Sequence, residues 1–149
     1  MADGSVRPLN GTAFAVTPTL RESYAAGDDE ELAEVALRDA ALASLRLLDD
    51  DASDLPPRRA VLVADVEDVK PRPDLDDAVV RLAGAIALAD VIAAYVDTAE
   101  AEGAVRAAVE AVDAADLGDE DAELVVGDAQ DHDLAWYAPQ ELPFLLELL

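Results

Sequence analysis

Cysteine is absent from this 149-residue chain, which excludes disulfides, thiolate metal sites and cysteine nucleophiles. Histidine occurs once, at His132, and one imidazole without cysteine is too few for an ordinary zinc site. Aromatic residues are only 4% of the chain, so the core must be built from Leu, Val and Ala with a few large anchors. Lysine also occurs once, at Lys70, and the 10 basic residues face 34 acidic ones. A formal charge of -24 disfavours phosphate backbones and anionic headgroups, which need clusters of Lys and Arg. No basic region followed by an apolar stretch stands at the N-terminus, so no signal peptide is read. The longest nearly apolar stretch, 83–96, is broken by Asp90 and is too short to span a bilayer as a helix. These absences predict a soluble, cytoplasmic protein with neither nucleic acid nor membrane as a partner.

What is present is a large apolar fraction. Hydrophobic residues make up 52%, enough to exclude a disordered acidic tail, and the length fits one domain with a core of its own. The acid excess has three readings: the Arg-, Ala-, Val- and Asp-rich composition of a GC-rich genome, adaptation to high salt, or an acidic face for a basic partner.

Residues 1–10 show no periodicity and read as a loop, or as the remnant of a longer N-terminus. Residues 12–17, TAFAVT, alternate β-favouring types and predict a strand ended by Pro18. Residues 19–26 suit a short helix broken by Gly27. Asp28, with Glu31 three residues on, resembles a capping box. Behind it Leu32, Val35, Ala36, Leu42, Leu45 and Leu48 recur at helical spacing. Asp49, Asp50 and Asp51 should lie past the last turn, where a helix end is negative, and 49–57 reads as a linker. The apolar run 60–66 predicts a central, buried strand.

Residues 67–77 read as a polar connection, 78–83 as a strand, 87–93 as a helical turn or two, and 94–97 as a short strand. Asp97 with Glu100 repeats the capping pattern ahead of a helix over 102–115. That helix has Val105, Val109 and Val112 on its apolar stripe, and Glu102–Arg106 and Arg106–Glu110 at pairing distance. Gly118 suits the C-terminal cap. Residues 119–133 are acidic with a short core segment at 124–126, 134–137 predict a strand, and 141–149 a terminal helix. The sum is an α+β fold: a single domain with a mixed sheet of about five strands and three or four helices.

Several clusters invite a chemical reading. Asp131-His132-Asp133 sets carboxylates beside the lone imidazole, able to hold a divalent cation or fix a tautomer. An extended backbone would nevertheless point the two Asp away from His132. Asp65, Glu67 and Asp68 follow the apolar run, with Asp74, Asp76 and Asp77 nearby, and carboxylates there suit Mg²⁺ or Ca²⁺. Neither EF-hand spacing nor a Gly-rich phosphate loop is present. Ser5, Ser23, Ser44 and Ser53 sit in no nucleophile elbow, so no catalytic residue and no cofactor is assigned. Arg58-Arg59, the only basic doublet, balances local acid. Trp136, Tyr137 and Phe144 gather the aromatics near the end. Trp136 reads as a core anchor, while the same segment with Leu146 is the candidate contact surface, since Trp and Tyr favour interfaces.

Two long pieces, TAFAVTP…SYAAGD running on to Leu48 and WYAPQELP over 136–143, resemble a family of uncharacterised actinobacterial proteins, a domain of unknown function. The resemblance supplies no activity and no site residue. It implies an additional strand and helix ahead of the segment where this chain starts, and it favours genome composition as the source of the acid excess. The expected role is a non-enzymatic protein–protein interaction module, with a protein partner or a second copy as in a homodimer. The alternatives are a divalent-metal-dependent enzyme using the clustered carboxylates, or an acidic decoy that mimics nucleic acid.

Overall fold

Thr17 begins the first helix by offering its side chain to an unpaired backbone N–H. Its Oγ1 accepts from Leu20 N–H at 3.0 Å and donates to the carbonyl of Asp77. The Pro18 that follows suits a first helical turn, where its missing N–H costs nothing. The structure, a computed structural model, describes residues 5–6, 12–24, 28–49, 56–142 and 144. Its helices are α1 (Pro18–Ser23), α2 (Asp29–Asp49), α3 (Glu102–Asp116) and α4 (Glu120–Gln130). The strands are β1 (Ser5–Val6), β2 (Thr12–Phe14), β3 (Ala60–Ala64), β4 (Val69–Pro71), β5 (Val79–Leu82), β6 (Ile86–Ala87), β7 (Val91–Val96) and β8 (Ala135–Tyr137). The α+β class is as the sequence predicts. The strands are shorter and more numerous than expected, and run in the orders β1-β6, β2-β5-β4 and β3-β7-β8.

The chain divides into two compact units, Met1–Ala40 with Val63–Ile92, and Ala41–Leu62 with Ala93–Leu149. In the first, Leu20, Leu32, Ala36 and Ala78 form a buried core, with Phe14, Val16 and Val35 packed against it. Leu32 and Ala36 are the i, i+4 positions of the α2 stripe, so the helical period read from sequence is the one that packs. Asp28 Oδ1 accepts Glu31 N–H at 2.9 Å, the expected cap. Strand β5 is central and antiparallel to both neighbours, with Thr12 and Lys70 opposite Arg81. Val79, Val80 and Leu82 are buried. Strand β4 lies inside what reads as a polar connection, and Ser5–Val6, read as loop, pairs with Ile86–Ala87.

In the second unit, Leu45 of α2 joins Ala101, Val105, Ala108, Val112, Val126 and Ala129 in one buried cluster. Val105, Ala108 and Val112 are the i, i+3, i+7 face of α3, and alanines let the helices approach closely. Gly118, at φ +94°, takes the left-handed position after α3 that a side chain resists. Asp119 Oδ1 then accepts Ala122 N–H at 3.0 Å and starts α4. Three expectations fail here. The segment 119–133 is mostly helix, and Leu124, read as core, is exposed. Strand β3 is an edge rather than a central strand, with only Val61 of it buried. Asp49 is the last residue of α2 rather than past it. Of the rest of the expected linker, 50–55 lie outside the described residues. So do 143 and 145–149 of the expected terminal helix. Among the described residues, no helix is long and apolar enough to cross a membrane.

Candidate functional site

Where β7 ends lie the most buried charges among the described residues. Asp97 and Arg59 are 0% and 4% exposed in their side chains. Asp97 Oδ2 accepts the Arg59 backbone N–H and Nε, each at 2.8 Å. Its Oδ1 accepts an Arg59 terminal nitrogen, also at 2.8 Å. The same terminal nitrogen, Nη2, donates to the His132 carbonyl at 2.8 Å, and Asp97 N–H returns to the Arg59 carbonyl at 3.0 Å. Both Asp97 oxygens accept, and Arg59 donates through its backbone N–H, Nε and Nη2, the pairing that a buried ion pair requires. The expectation that Asp97 caps the next helix is overturned: its carboxylate is consumed by Arg59, and the 3-10 turn Ala99–Ala101 begins at Thr98 without a side-chain cap. Arg58 pairs with Glu102 at 3.2 Å, so the basic doublet does balance local acid, and Glu102 spends its charge there.

The clustered carboxylates, unlike the clamp, are mostly exposed. Asp65, Glu67 and Asp68 are exposed on the connection after β3. Asp65 N–H donates to the Asp90 carbonyl at 2.9 Å, and Asp68 sits at φ 57°. Asp74 is held by Arg72 through both oxygens, at 2.9 and 2.7 Å, and those hydrogen bonds hold its carboxyl below the ordinary range. Asp77 accepts from Ser23 Oγ at 2.7 Å. Asp131, His132 and Asp133 form the turn after α4 rather than an extended segment. Asp131 N–H donates to the Gly127 carbonyl at 3.0 Å and His132 N–H to that of Ala129 at 3.1 Å. The His132 carbonyl accepts from Arg59 Nη2. Among the described residues, no group of three or more His, Asp or Glu side chains comes together to hold a metal ion.

The aromatic segment is the third candidate. Strand β8 is an edge strand, antiparallel to β7, with Ala94↔Tyr137, Tyr95↔Trp136 and Val96↔Ala135 in register. Directly opposed residues share a face. Ala94 and Val96 are buried, so Ala135 and Tyr137 lie on the inner face and Tyr95 and Trp136 on the outer one. Trp136 is 59% exposed, which corrects its reading as a core anchor: the pleat turns it outward. Tyr137 is half-buried. Phe144 is 68% exposed, and Leu146 lies outside the described residues. Tyr95, opposite Trp136, carries no signal in the sequence because its partner is 41 positions away.

Fold and surface together define an acidic α+β protein with a buried ion-pair clamp and an outward-facing tryptophan on a sheet edge. The chain belongs to a family of unknown function (DUF6912), which it matches over residues 1–146. No curated protein and no solved structure matches it.

Proposed function

We propose that this protein is a non-enzymatic interaction module that docks a basic protein partner on the Tyr95–Trp136 face of β7 and β8. The observation that carries the reading is Trp136, 59% exposed on an edge strand in a chain with a single tryptophan. Tryptophan supplies large, rigid apolar area and is enriched among residues that dominate binding energy. Strand β8 is three residues long, so few open backbone groups are offered and the side chain must carry the contact. The charge of -24 selects the partner's sign. A second copy would bring the same net charge against itself, whereas a basic surface would be steered in and held.

The test is capture on immobilised protein, wild type against Trp136→Ala, washed at low and at high salt and identified by mass spectrometry. A partner held by the wild type and lost by the variant is expected, with affinity reduced about thirtyfold, the consequence of losing ~2 kcal/mol at a hot spot. A basic partner indifferent to Trp136 and released by salt would replace this reading with the acidic decoy. Sedimentation of both proteins would expose self-association through the same face, which would also overturn the choice of partner.

A further inference from the structure

Cations are scarce here and mostly spoken for. Arg21 pairs with Asp29, Arg46 with Asp116, Arg58 with Glu102, Arg59 with Asp97 and Arg72 with Asp74. Arg38 and Arg106 stand at exposed helix positions, where pairing matters little. Lys70 and Arg81 differ. They are direct cross-strand neighbours on β4 and β5, so both side chains leave the same face of the sheet, with Thr12 of β2 on the other side of Arg81. Arg81 is half-buried, and its Nε is a buried donor with no hydrogen-bond partner. Among the described residues neither Lys70 nor Arg81 holds a carboxylate, although the chain carries 34 of them. Like charges set directly opposite destabilise a strand pair, and an orphaned guanidinium donor adds to that cost.

We infer that Lys70, Arg81 and Thr12 form a binding site for a phosphoryl group, on a free phosphate or a small phosphomonoester. The nearest acid does not fill this role. Arg81 contributes to holding the Asp74 carboxyl low, but both Asp74 oxygens are bonded to Arg72. Arg72 and Asp74 therefore cancel, leaving two positive charges from Lys70 and Arg81. A carboxylate would balance one of them. A phosphate dianion balances both, its oxygens facing the two terminal nitrogens of Arg81, the Lys70 point charge, and the Thr12 hydroxyl as a neutral donor. The whole-chain charge opposes any anion at long range. At about 0.15 M salt that field is screened beyond about 8 Å, so the local pair decides.

The experiment is a titration of the intact protein with inorganic phosphate at constant ionic strength, read from backbone amide shifts. Sulfate and chloride serve as parallel arms, and a sugar phosphate as the small-molecule arm. Saturable shifts centred on residues 12, 70 and 81 are expected, weakened at least about tenfold by Lys70→Ala and Arg81→Gln, the loss of one charge-assisted contact, and unchanged by Arg106→Gln. Affinity for the sugar phosphate should rise between about pH 5 and about pH 7 as its second proton leaves, near pH 6, and that for inorganic phosphate over a higher pH range, while sulfate affinity stays flat. A sugar phosphate binding more tightly than phosphate would assign the small-molecule source, and equal binding the free ion. Shifts that follow ionic strength alone, or that survive Lys70→Ala, would overturn the site. Lys70 is exposed on β4, so that variant keeps the test decisive even should Arg81→Gln fail to fold.

Discussion

Asp97→Ala removes one member of the best-buried charge pair among the described residues. Three donors lose their acceptor at once: the Arg59 N–H, its Nε and one terminal nitrogen, all now at 2.8 Å from carboxylate oxygens. Only the His132 carbonyl remains for the guanidinium. With both side chains almost fully out of solvent, the orphaned charge cannot recover its hydration, and the expected loss is about 3–5 kcal/mol. Domains of this size are stable by only about 5–15 kcal/mol, so the variant should sit near the edge of folding. Urea denaturation reads the loss as a fall in midpoint at unchanged slope. The partner variant Arg59→Met leaves Asp97 buried with one backbone N–H, that of residue 59, and should cost about as much. The double variant Arg59→Met/Asp97→Ala strands neither charge. It should fall short of the summed single losses by at least about 1.5 kcal/mol, the coupling expected of residues in one network. Should Asp97→Ala not fold, Asp97→Asn grades the same effect, because one amide oxygen still accepts. A loss below about 1 kcal/mol, typical of an exposed pair, or strict additivity in the cycle, would refute the clamp.

Two further outcomes follow from local geometry. Gly118→Ala forces a side chain into a φ of +94° with open space around it, so only backbone strain acts, and a loss of about 1–2 kcal/mol is expected. Gly127→Ala, inside α4 and equally open, should instead stabilise by about 0.5–1 kcal/mol. Thermal unfolding of both variants checks the opposite signs, and a shared sign would sink the reasoning. Asp116 accepts two hydrogen bonds from Arg46, at 3.0 and 2.8 Å, and they hold its carboxyl below the ordinary range. A lowered folded value means the contribution is present above the unfolded carboxylate pKa and is lost as pH falls through the folded one. Both groups are nearly half exposed, so the effect is at most about 1 kcal/mol. Carboxyl NMR titration of Arg46→Gln should show Asp116 moving up, and an unmoved midpoint would contradict the assignment.

Helices α2 and α3 were legible because their apolar residues recur at a helical period and a cap stands before the first: Asp28 on Glu31 N–H is the observed bond. Helix α4 was not, because its apolar content is small and its charges are of one sign. Its usable signal was Asp119 followed by Glu120, Asp121 and Glu123 in the first turn, where a helix N-terminus favours carboxylates. Asp97 shows how a local pattern misleads. It matched the capping spacing, yet a guanidinium 38 positions upstream offered more than a single backbone N–H. The outward turn of Trp136 was hidden for a different reason. In a three-residue strand, a shift of one position exchanges the faces, and bulk alone argues for the inside. The Lys70–Arg81 neighbourhood depends on a register between two strands, one of which lies in a segment read as a connection.

Part of the acid excess, which dominates the composition, is spent where it costs little. Asp29, Glu30 and Glu31 crowd the start of α2, and Glu120, Asp121 and Glu123 that of α4, where the helix dipole offsets part of their mutual repulsion. The end of α3 is the opposite case. It carries Asp113 and Asp116 with no basic residue in its last turn, and Arg46 reaches over from α2 to Asp116. Arginine thus stands at three places where acid would otherwise be unfavourable: at the negative end of α3, beside the buried Asp97 carboxylate, and in the turn that Arg72 closes on Asp74. A cation in this protein is therefore more diagnostic than an acid. Two sheets break that pattern, and the two proposals rest on them: among the described residues, one presents cations without carboxylates at Lys70 and Arg81, and the other presents an exposed indole at Trp136.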